Sequence, residues 1–505
     1  MTPPRRIVIA GGGTAGWMTA NLLAHRWPLM SIELLEAPEI PTIGVGEGST
    51  PSLKRFFEVL GIAEAEWMPR CHATYKANIR FVGWSPDAPA DAYSHPFTTQ
   101  LDLHTIDAFF ANCRNRRGGY DVPTDPGTFL LNGALADAGK APLAPPSFPF
   151  KIDYGYHFDA ALLGMFLRER AVARGVVHRP AKIVSAVRHE NGDIAAVCTE
   201  RGDVVPGDLF VDCTGFAGLL LQGALGVGFR SFADNLFNDA AVVIPTMPTE
   251  PAAPPVETRA TALSSGWAWS IPLQSRVGNG YVYARGYLSD DAAEVELRGH
   301  LGLLDSDVAA RHLRFRTGQV AQHWHRNVLA VGLAQGFIEP LEATALHLVL
   351  NTVEKFMRQY EEGGFTPAKA GAFNDTIRAM FERVRDYIVA HYKLNTRTDT
   401  AYWIDNRAHD CLSLPLRRIL DLWYRHGDLA AEFAADPDLT YFSAESWHCL
   451  LAGYGTFPPP RADQRDDVDF HRANGVEAFL HGCSMNFPSH ADALARHTAT
   501  ASAGA

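Results

Sequence analysis

The chain has 505 residues, 47% of them hydrophobic and 20% charged, which is typical of a soluble globular protein. Its aromatic content of 10% excludes disorder over most of its length, and its net charge of −11 without a basic block argues against a nucleic-acid or membrane partner. The seven cysteines are odd in number and form no CxxC pair, so we expect a reducing, cytoplasmic location and no cysteine metal site.

The N-terminus predicts a β–turn–α–β unit. Residues 5–10 form a short β-branched run, residues 18–26 have helical composition, and residues 32–35 form a second apolar run. This succession, about 30 residues long, is typical of a nucleotide-binding fold.

The turn between the first strand and the helix satisfies the GxGxxG pattern. Gly11 allows a tight turn, Gly13 allows close approach of a pyrophosphate, and Gly16 lets the helix pack near the sheet. Glu36, 20 residues after Gly16, can accept hydrogen bonds from ribose hydroxyls. The turn therefore predicts a dinucleotide site, with FAD and NAD both open. The predicted cofactor-binding residues of the turn are Gly11, Gly13, Thr14, Ala15 and Gly16.

Later segments favour FAD and a helical C-terminal region. A strand at residues 209–212 ends in an acid followed by a small-residue turn, as in flavoproteins where this strand end returns to the flavin. An ordinary strand and turn is the alternative. From Leu346 onward the apolar residues recur with helical spacing. We therefore predict two domains, residues 1–350 and residues 351–505, the second mostly helical.

The order of eight segments along the chain resembles the flavin-dependent tryptophan halogenases. The most specific is the run from Trp267 to Pro272, which fits the WxWxIP motif of that family. The resemblance implies an α/β, two-dinucleotide-fold flavoprotein similar to the aromatic hydroxylases, with an added, mostly helical substrate module. The matching segments are GGGTAGWM at 11–18, GVGEGSTPSL at 44–53, YKANIRF at 75–81, HPF at 95–97, YHFDA at 156–160, DLFVDCTGF at 208–216, GWAWSIPL at 266–273 and GLAQGFIEPLEAT at 332–344.

The implied activity is halogenation of an electron-rich aromatic ring. Reduced FAD and O2 oxidise a halide to hypohalous acid, which travels through a tunnel to a lysine that matches Lys76. Without the resemblance, the alternation of residues 75–81 fits a strand with Lys76 on a solvated face. Glu342 matches the family's active-site glutamate, which can stabilise the cationic ring intermediate and accept its proton. Capping of a helix that begins near Thr344 is the alternative for Glu342, and it accounts fully for Glu339.

The resemblance also implies which residues bind the halide and which surround the flavin. Thr344 and Ala345 match a Thr-Gly pair that binds chloride through backbone N–H groups. If that glycine has a positive φ, Ala345 would loosen the site and favour bromide over chloride. Further cofactor contacts are implied at Glu47, Val184, Leu333 and Leu346. Four residues are expected to shield the flavin, although packing as core is the alternative for the tryptophans: Trp267, Trp269, Ile271 and Pro272.

We therefore predict an FADH2- and O2-dependent halogenase that acts on an indole-like or tryptophan-like ring and receives FADH2 from a separate flavin reductase. A single-component flavin hydroxylase and a non-catalytic flavin-binding redox partner are the alternatives. Trp447, Tyr454 and Phe457 either line an aromatic pocket or pack as core. The chain shows no HExxH motif and no metal site is predicted; the histidines at 72, 95 and 157 are interpreted as structural or flavin-adjacent. A homodimer is a further expectation.

Overall fold

A computed structural model describes residues 4–40, 47–86, 88, 91–248 and 253–503. The strands, numbered along the chain, are β1 Arg6–Ala10, β2 Ser31–Glu36, β3 Glu47–Gly48, β4 Thr74–Lys76, β5 Asn78–Val82, β6 Ala92–Pro96, β7 Gly155–Phe158, β8 Val177–Pro180, β9 Ile183–Arg188, β10 Ile194–Thr199, β11 Val204–Pro206, β12 Leu209–Asp212, β13 Phe229–Ser231, β14 Ala240–Val243, β15 Glu257–Leu263, β16 Gly266–Pro272, β17 Val277–Tyr283, β18 Arg311–Arg314, β19 Gly318–Val320, β20 Trp324–His325, β21 Val328–Ala330 and β22 Gly336–Phe337.

The α-helices are α1 Thr14–Arg26, α2 Ser52–Leu60, α3 Glu64–Trp67, α4 Ile106–Arg117, α5 Leu131–Asp137, α6 Ala160–Ala173, α7 Asp290–Leu301, α8 Ala345–Glu362, α9 Ala370–Lys393, α10 Ala401–Ala408, α11 Leu414–Tyr424, α12 Leu429–Ala435, α13 Ala444–Gly453, α14 Phe470–Ala473, α15 Val476–Ser484 and α16 His490–Ala503.

A mostly parallel sheet carries the predicted nucleotide-binding unit. Its strand order is β20-β21-β12-β1-β2-β8, and only the β20–β21 pair is antiparallel. The central strand β1 is buried on both faces, because helix α1 covers one side and a second cluster of apolar residues covers the other. The predicted β–turn–α–β unit and the strand at 209–212 beside it are confirmed.

A second, seven-stranded sheet supports the region around Lys76. Its order is β18-β14-β17-β16-β15-β5-β6, and it includes the WxWxIP segment on β16. Lys76 ends β4 in a small sheet with β3 and β7, and only Ala77 separates it from β5 of the large sheet. Lys76 therefore lies where the two sheets meet.

The C-terminal part is mainly helical, as predicted. Helix α8 spans the predicted domain boundary at residues 350–351, which stays a prediction. Helix α16 returns to the small sheet, where His490 Nε2 accepts the backbone N–H of Tyr75 at 3.1 Å. Over the described part of the chain, no helix is long and apolar enough to cross a membrane.

Candidate active site

The glycine turn after β1 is tight because two of its glycines have no room for a side chain. Gly11 has a φ of 107°, and a Cβ there would lie 2.2 Å from the carbonyl oxygen of Cys213. A Cβ at Gly16 would lie 2.0 Å from the carbonyl oxygen of Gly11. A Cβ at Gly13, by contrast, would meet nothing within 4 Å, so this side of the turn is open. The turn therefore keeps its backbone accessible at the start of α1.

The open side of the turn fits the pyrophosphate and ribose of a dinucleotide. Gly13 is the N-cap of α1 and supplies no side-chain acceptor, so backbone donors at the helix start remain for an anion. Glu36 lies against the turn, since a Cβ at Gly12 would come 2.3 Å from its carboxyl carbon. The Glu36 Oε2 atom is buried without a hydrogen bond to any described residue and lies 2.9 Å from His178 Nε2. These residues fit FAD.

Four further residues were predicted to contact the cofactor, and the structure describes the side chains of three of them: Val184, Leu333 and Leu346. Leu333 is in a 3-10 turn in which a Cβ at Gly332 would come 2.8 Å from the Cβ of Ala15, and Leu346 is buried in the first turn of α8. Val184 is 59% exposed on β9, three residues after Ala181, whose N–H donates to the Glu36 carbonyl. The Glu47 side chain is outside the described residues. All four contacts stay predictions.

The acid at the end of β12 stabilises its own turn. Asp212 is fully buried, and its carboxylate accepts hydrogen bonds from the N–H and hydroxyl of Thr214 and from the N–H groups of Leu220 and Leu221. The strand end nevertheless reaches the glycine turn, because the Cys213 carbonyl abuts Gly11. The return of this strand end to the flavin stays a prediction.

Lys76 is fully buried, so its placement on a solvated strand face is wrong. All three residues of β4 are buried, because β7 pairs with that strand while other elements cover both of its faces. Among the described residues, Lys76 Nζ has no hydrogen-bond partner; it lies 5.3 Å from the ring centroid of Phe97. A Cβ at Gly48 would lie 3.2 Å from this nitrogen, so glycine leaves space beside the amine.

Burial changes the protonation of Lys76. Desolvation lowers the pKa of the Lys76 amine from 10.5 to about 7, while the negative charge of Glu342 acts in the opposite direction. Burial, followed by the charge of Lys76, also holds the pKa of His157 well below its usual value. Near neutral pH the amine is therefore present both as ammonium and as free base.

Glu342 forms a buried cluster with two histidines. Its Oε1 atom lies 3.0 Å from His95 Nδ1 and 2.9 Å from His391 Nε2. Burial acts to raise the pKa of Glu342, but the charge and hydrogen bonds of these histidines outweigh it and lower the pKa to about 2. The cluster extends outward, since His391 Nδ1 lies 3.1 Å from the hydroxyl oxygen of Tyr454. Glu342 is thus an ionised carboxylate, and its negative charge favours the ammonium form of Lys76.

Glu339 is not a helix cap, and that prediction was wrong. The side chain is fully buried, and α8 begins only at Ala345. Its Oε2 atom accepts hydrogen bonds from Asn238 Nδ2 at 2.9 Å, Trp267 Nε1 at 3.0 Å and the Tyr392 hydroxyl at 2.6 Å. Glu339 therefore ties the WxWxIP strand to helix α9.

The WxWxIP strand is packed as core and also borders the lysine strand. The ring centroids of Trp267 and Trp269 are 6.1 Å apart, and Gly280 makes room for the Trp269 ring. Ile271 is buried, and the Pro272 carbonyl accepts the Thr74 hydroxyl at 2.7 Å, two residues from Lys76. The shielding of flavin by this segment stays a prediction.

Several known proteins resemble this chain over almost its whole length. The tryptophan halogenase family model matches residues 6–469. The tryptophan 6-halogenase SttH of Streptomyces toxytricini is 38% identical over 80% of this chain and 81% of its own length. BrvH, a flavin-dependent halogenase of Brevundimonas sp. BAL3, is 34% identical and has a TM-score of 0.83, covering 98% of this chain and 99% of its own. Xcc4156, a flavin-dependent halogenase of Xanthomonas campestris, is 32% identical with the same TM-score and coverage.

The chain belongs to the tryptophan halogenase family. It is a flavin-dependent halogenase, and FAD in the reduced form is its cofactor. The predicted family, enzyme class, cofactor and mixed α/β fold are confirmed, which favours halogenation over the hydroxylase and redox-partner alternatives.

The predicted halide-binding segment, Thr344 and Ala345, follows a residue with a strained backbone but does not contain one. Thr344 is the N-cap of α8, makes no side-chain capping bond, and precedes Ala345 as the first helical residue. The residue with a left-handed backbone is Ala343, with φ 54°, whereas Ala345 does not have a positive φ. The expectation of strain at Ala345 is therefore wrong, and bromide preference loses that physical reason. The role of Thr344 and Ala345 in halide binding stays a prediction.

The structure adds His391, which the sequence did not single out, because this histidine sits in a helix whose spacing only indicates core. His95, interpreted from the sequence as structural or flavin-adjacent, lies beside Glu342. Trp447 and Tyr454 are buried, and Trp447 donates its ring N–H to the Thr440 hydroxyl at 2.8 Å. Within the described ranges, no group of three or more His, Cys, Asp or Glu side chains is arranged to hold a metal ion.

Proposed function

We propose that this enzyme halogenates an indole-like ring, with free tryptophan and indole as candidate substrates, and that Lys76 and Glu342 are its catalytic residues. The observation that supports this proposal is a fully buried amine without a described hydrogen-bond partner, coupled electrostatically to a buried carboxylate. Perturbed ionisable groups that share one buried region are typical of catalytic sites. SttH, whose name describes a tryptophan 6-halogenase, supports the substrate class.

FAD in its reduced form would supply, with O2, the oxidising equivalent that converts halide to hypohalous acid. Gly11, Gly13, Gly16 and Glu36 would hold its pyrophosphate and ribose. Residues 1–350 would form the cofactor and halogenation part, and residues 351–505 the substrate module. A separate flavin reductase provides the reduced cofactor.

Lys76 would activate hypohalous acid next to the ring. In the ammonium form, Lys76 donates a hydrogen bond to the oxygen of hypohalous acid, so the ring carbon attacks the halogen while oxygen takes the proton and leaves as water. In the amine form, Lys76 displaces water from hypohalous acid and carries the halogen as a haloamine. A pKa of about 7 keeps both forms accessible.

Glu342 would stabilise the positive charge on the ring and then accept the ring proton. A carboxylate with a pKa of about 2 is a weak base, but a halogenated arenium ion is a much stronger acid, so this transfer is downhill. Returning that proton to Lys76 balances the reaction, in which the ring and hypohalous acid give halogenated ring and water. His95 and His391 hold the carboxylate in place.

The remaining assignments follow the family pattern. Thr344 and Ala345 would bind the halide through backbone N–H groups at the start of α8. Trp267 and Trp269 would keep the ring away from the cofactor and so prevent direct hydroxylation. We also propose a cytoplasmic homodimer.

The test is mass spectrometry after incubation with a flavin reductase, NADH, FAD, O2, and bromide or chloride, using indole and tryptophan in separate reactions. We expect a monohalogenated product from the native enzyme, and none from Lys76→Ala although reduced FAD is still consumed by O2. Lys151→Ala is the matched control, because its side chain is 65% exposed and should leave product formation unchanged.

Three results would count against the proposal. Halogenation by Lys76→Ala would remove the assigned role of that residue. A hydroxylated product that forms without halide would favour the flavin hydroxylase, and absence of any product with every halide and ring tested would favour the redox partner.

A further inference from the structure

A basic cavity of about 600 Å³ lies in the C-terminal helical part, away from the glycine turn. This volume is within the range of sites for small molecules. Its wall combines cations with aromatic rings: Arg117, Lys393, Arg407, Trp423, Tyr454 and Phe457. No Asp or Glu is among the described residues that line it. We call it the basic cavity.

Arg117 is a buried cation without a carboxylate partner. The residue is only 6% exposed, and its guanidinium donates to the carbonyls of Trp423 and Gly427 while lying 4.4 Å from the Trp423 ring centroid. Its Nε atom is buried and has no hydrogen-bond partner among described atoms. Asp428 acts on it from a distance but forms no salt bridge with it. A buried guanidinium left in this state favours binding of an anion.

The neighbouring cations are also without carboxylate partners among the described residues. Lys393 Nζ donates to the carbonyls of Arg407 and His409, and Asp410 influences it only from a distance. Arg407 lines the same space and is half-buried. Three positive side chains thus line one cavity, together with the rings of Trp423 and Phe457 and with polar side chains that include Asn395, Thr456 and His426.

We infer that the basic cavity binds a small aromatic carboxylate that carries no ammonium group. The carboxylate would pair with Arg117 and Lys393, and the ring would pack against the half-buried ring of Phe457. A zwitterion such as tryptophan would leave its ammonium group without an acidic partner there, which disfavours it. This inference goes beyond the proposed function, because binding in the cavity requires no halogenation.

The basic cavity is connected to the reaction centre through one residue. Tyr454 lines it, its hydroxyl oxygen lies 3.1 Å from His391 Nδ1, and His391 Nε2 lies 2.9 Å from Glu342 Oε1. A bound acid that contacts Tyr454 would therefore restrict the histidine beside the proposed catalytic carboxylate.

The test is calorimetric titration of the FAD-bound enzyme, without reductase, using three probes that share one ring: indole-3-acetate, indole and tryptamine. We expect indole-3-acetate to bind at least about tenfold more tightly than the other two, the gain from one hydrogen bond to a charged group. Arg117→Met and Arg407→Glu should each weaken it by about tenfold or more. Arg425→Met is the matched control, since Arg425 does not line the cavity and its side chain is 79% exposed.

If Arg117→Met fails to fold, Arg407→Glu alone tests the inference. We expect this variant to fold, because no described hydrogen bond or salt bridge of the Arg407 side chain would be lost. Equal affinities for indole-3-acetate and tryptamine would overturn the inference. The inference would also be overturned if Lys76→Met lost indole-3-acetate binding while both cavity variants retained it, because the acid would then occupy the reaction centre. These titrations involve no turnover, so their failure is distinct from a failure of the halogenation assay.

Discussion

Replacing Lys76 with methionine should stabilise the protein while abolishing halogenation. The amine is fully buried without a described hydrogen-bond partner, and burial lowers its pKa from 10.5 to about 7. A shift of this size corresponds to on the order of 5 kcal/mol of folding free energy. Methionine has a similar length and fills the same space without a charge. We expect a gain of about 3–5 kcal/mol at pH 6, since relaxation around a buried charge reduces its cost.

The stability advantage of Lys76→Met over the native enzyme should decrease as the pH rises. Because the folded-state pKa of Lys76 lies below the unfolded value, the cost of burying it is complete below pH 7 and disappears as the pH approaches 10.5. The native enzyme therefore gains stability relative to Lys76→Met between these limits. The advantage of the variant should fall to roughly 2 kcal/mol at pH 9.

The assay is thermal unfolding of both proteins at pH 6 and pH 9, paired with the halogenation assay. By the size scaling of unfolding entropy, roughly 1 °C per kcal/mol is expected for a chain of this length. Lys151→Met, with its exposed side chain, is the control and should change little at either pH. The reasoning is refuted if Lys76→Met melts below the native enzyme at pH 6, or if its advantage grows as the pH rises.

Three further changes test other parts of the site. Glu36→Ala should weaken FAD binding by about 10-fold or more without changing the product, as measured by flavin titration, and unaltered affinity would contradict the ribose assignment. Trp267→Phe should lower the free energy of unfolding by about 1–3 kcal/mol more than Trp269→Phe, because among the described residues only the Trp267 ring N–H has a hydrogen-bond partner, the Glu339 carboxyl group. Equal losses in chemical unfolding would argue against that bond. Ala343→Gly should be neutral to stabilising by about 1 kcal/mol, and Ala345→Gly destabilising by up to about 1 kcal/mol, in the same measurement. If instead Ala345→Gly stabilises the protein and Ala343→Gly destabilises it, the backbone strain lies at Ala345, as the sequence analysis expected.

Local patterns predicted the parts of the fold that depend on short segments. The glycine turn and Glu36 lie within one β–turn–α–β unit, so spacing along 30 residues is enough to place them together. The start of α8 was also predicted within one residue, because Thr344 precedes a regular apolar spacing.

The clusters around Lys76, Glu339 and Glu342 were harder to predict because they join distant segments. Alternation in residues 75–81 indicates a strand but does not say whether its second face is covered, so the burial of Lys76 could be expected only from family resemblance. Glu339 looked like a capping residue because its three partners, at positions 238, 267 and 392, come from segments far apart in the chain. His391 had no signal, since a histidine at a helical core position is common.

The bond between Tyr75 and His490 joins residues 415 positions apart in the chain. Contacts of such long range form late, because a large loop must close before they give any stabilisation. A ribosome-bound chain that has passed residue 40 already contains the whole glycine turn and Glu36, whereas the hydrogen bond from the strand of Lys76 to His490 cannot form until helix α16 has been synthesised. Lys76 is therefore confined only after nearly all of the described chain is in place, which postpones full burial of this amine until the fold around it is complete.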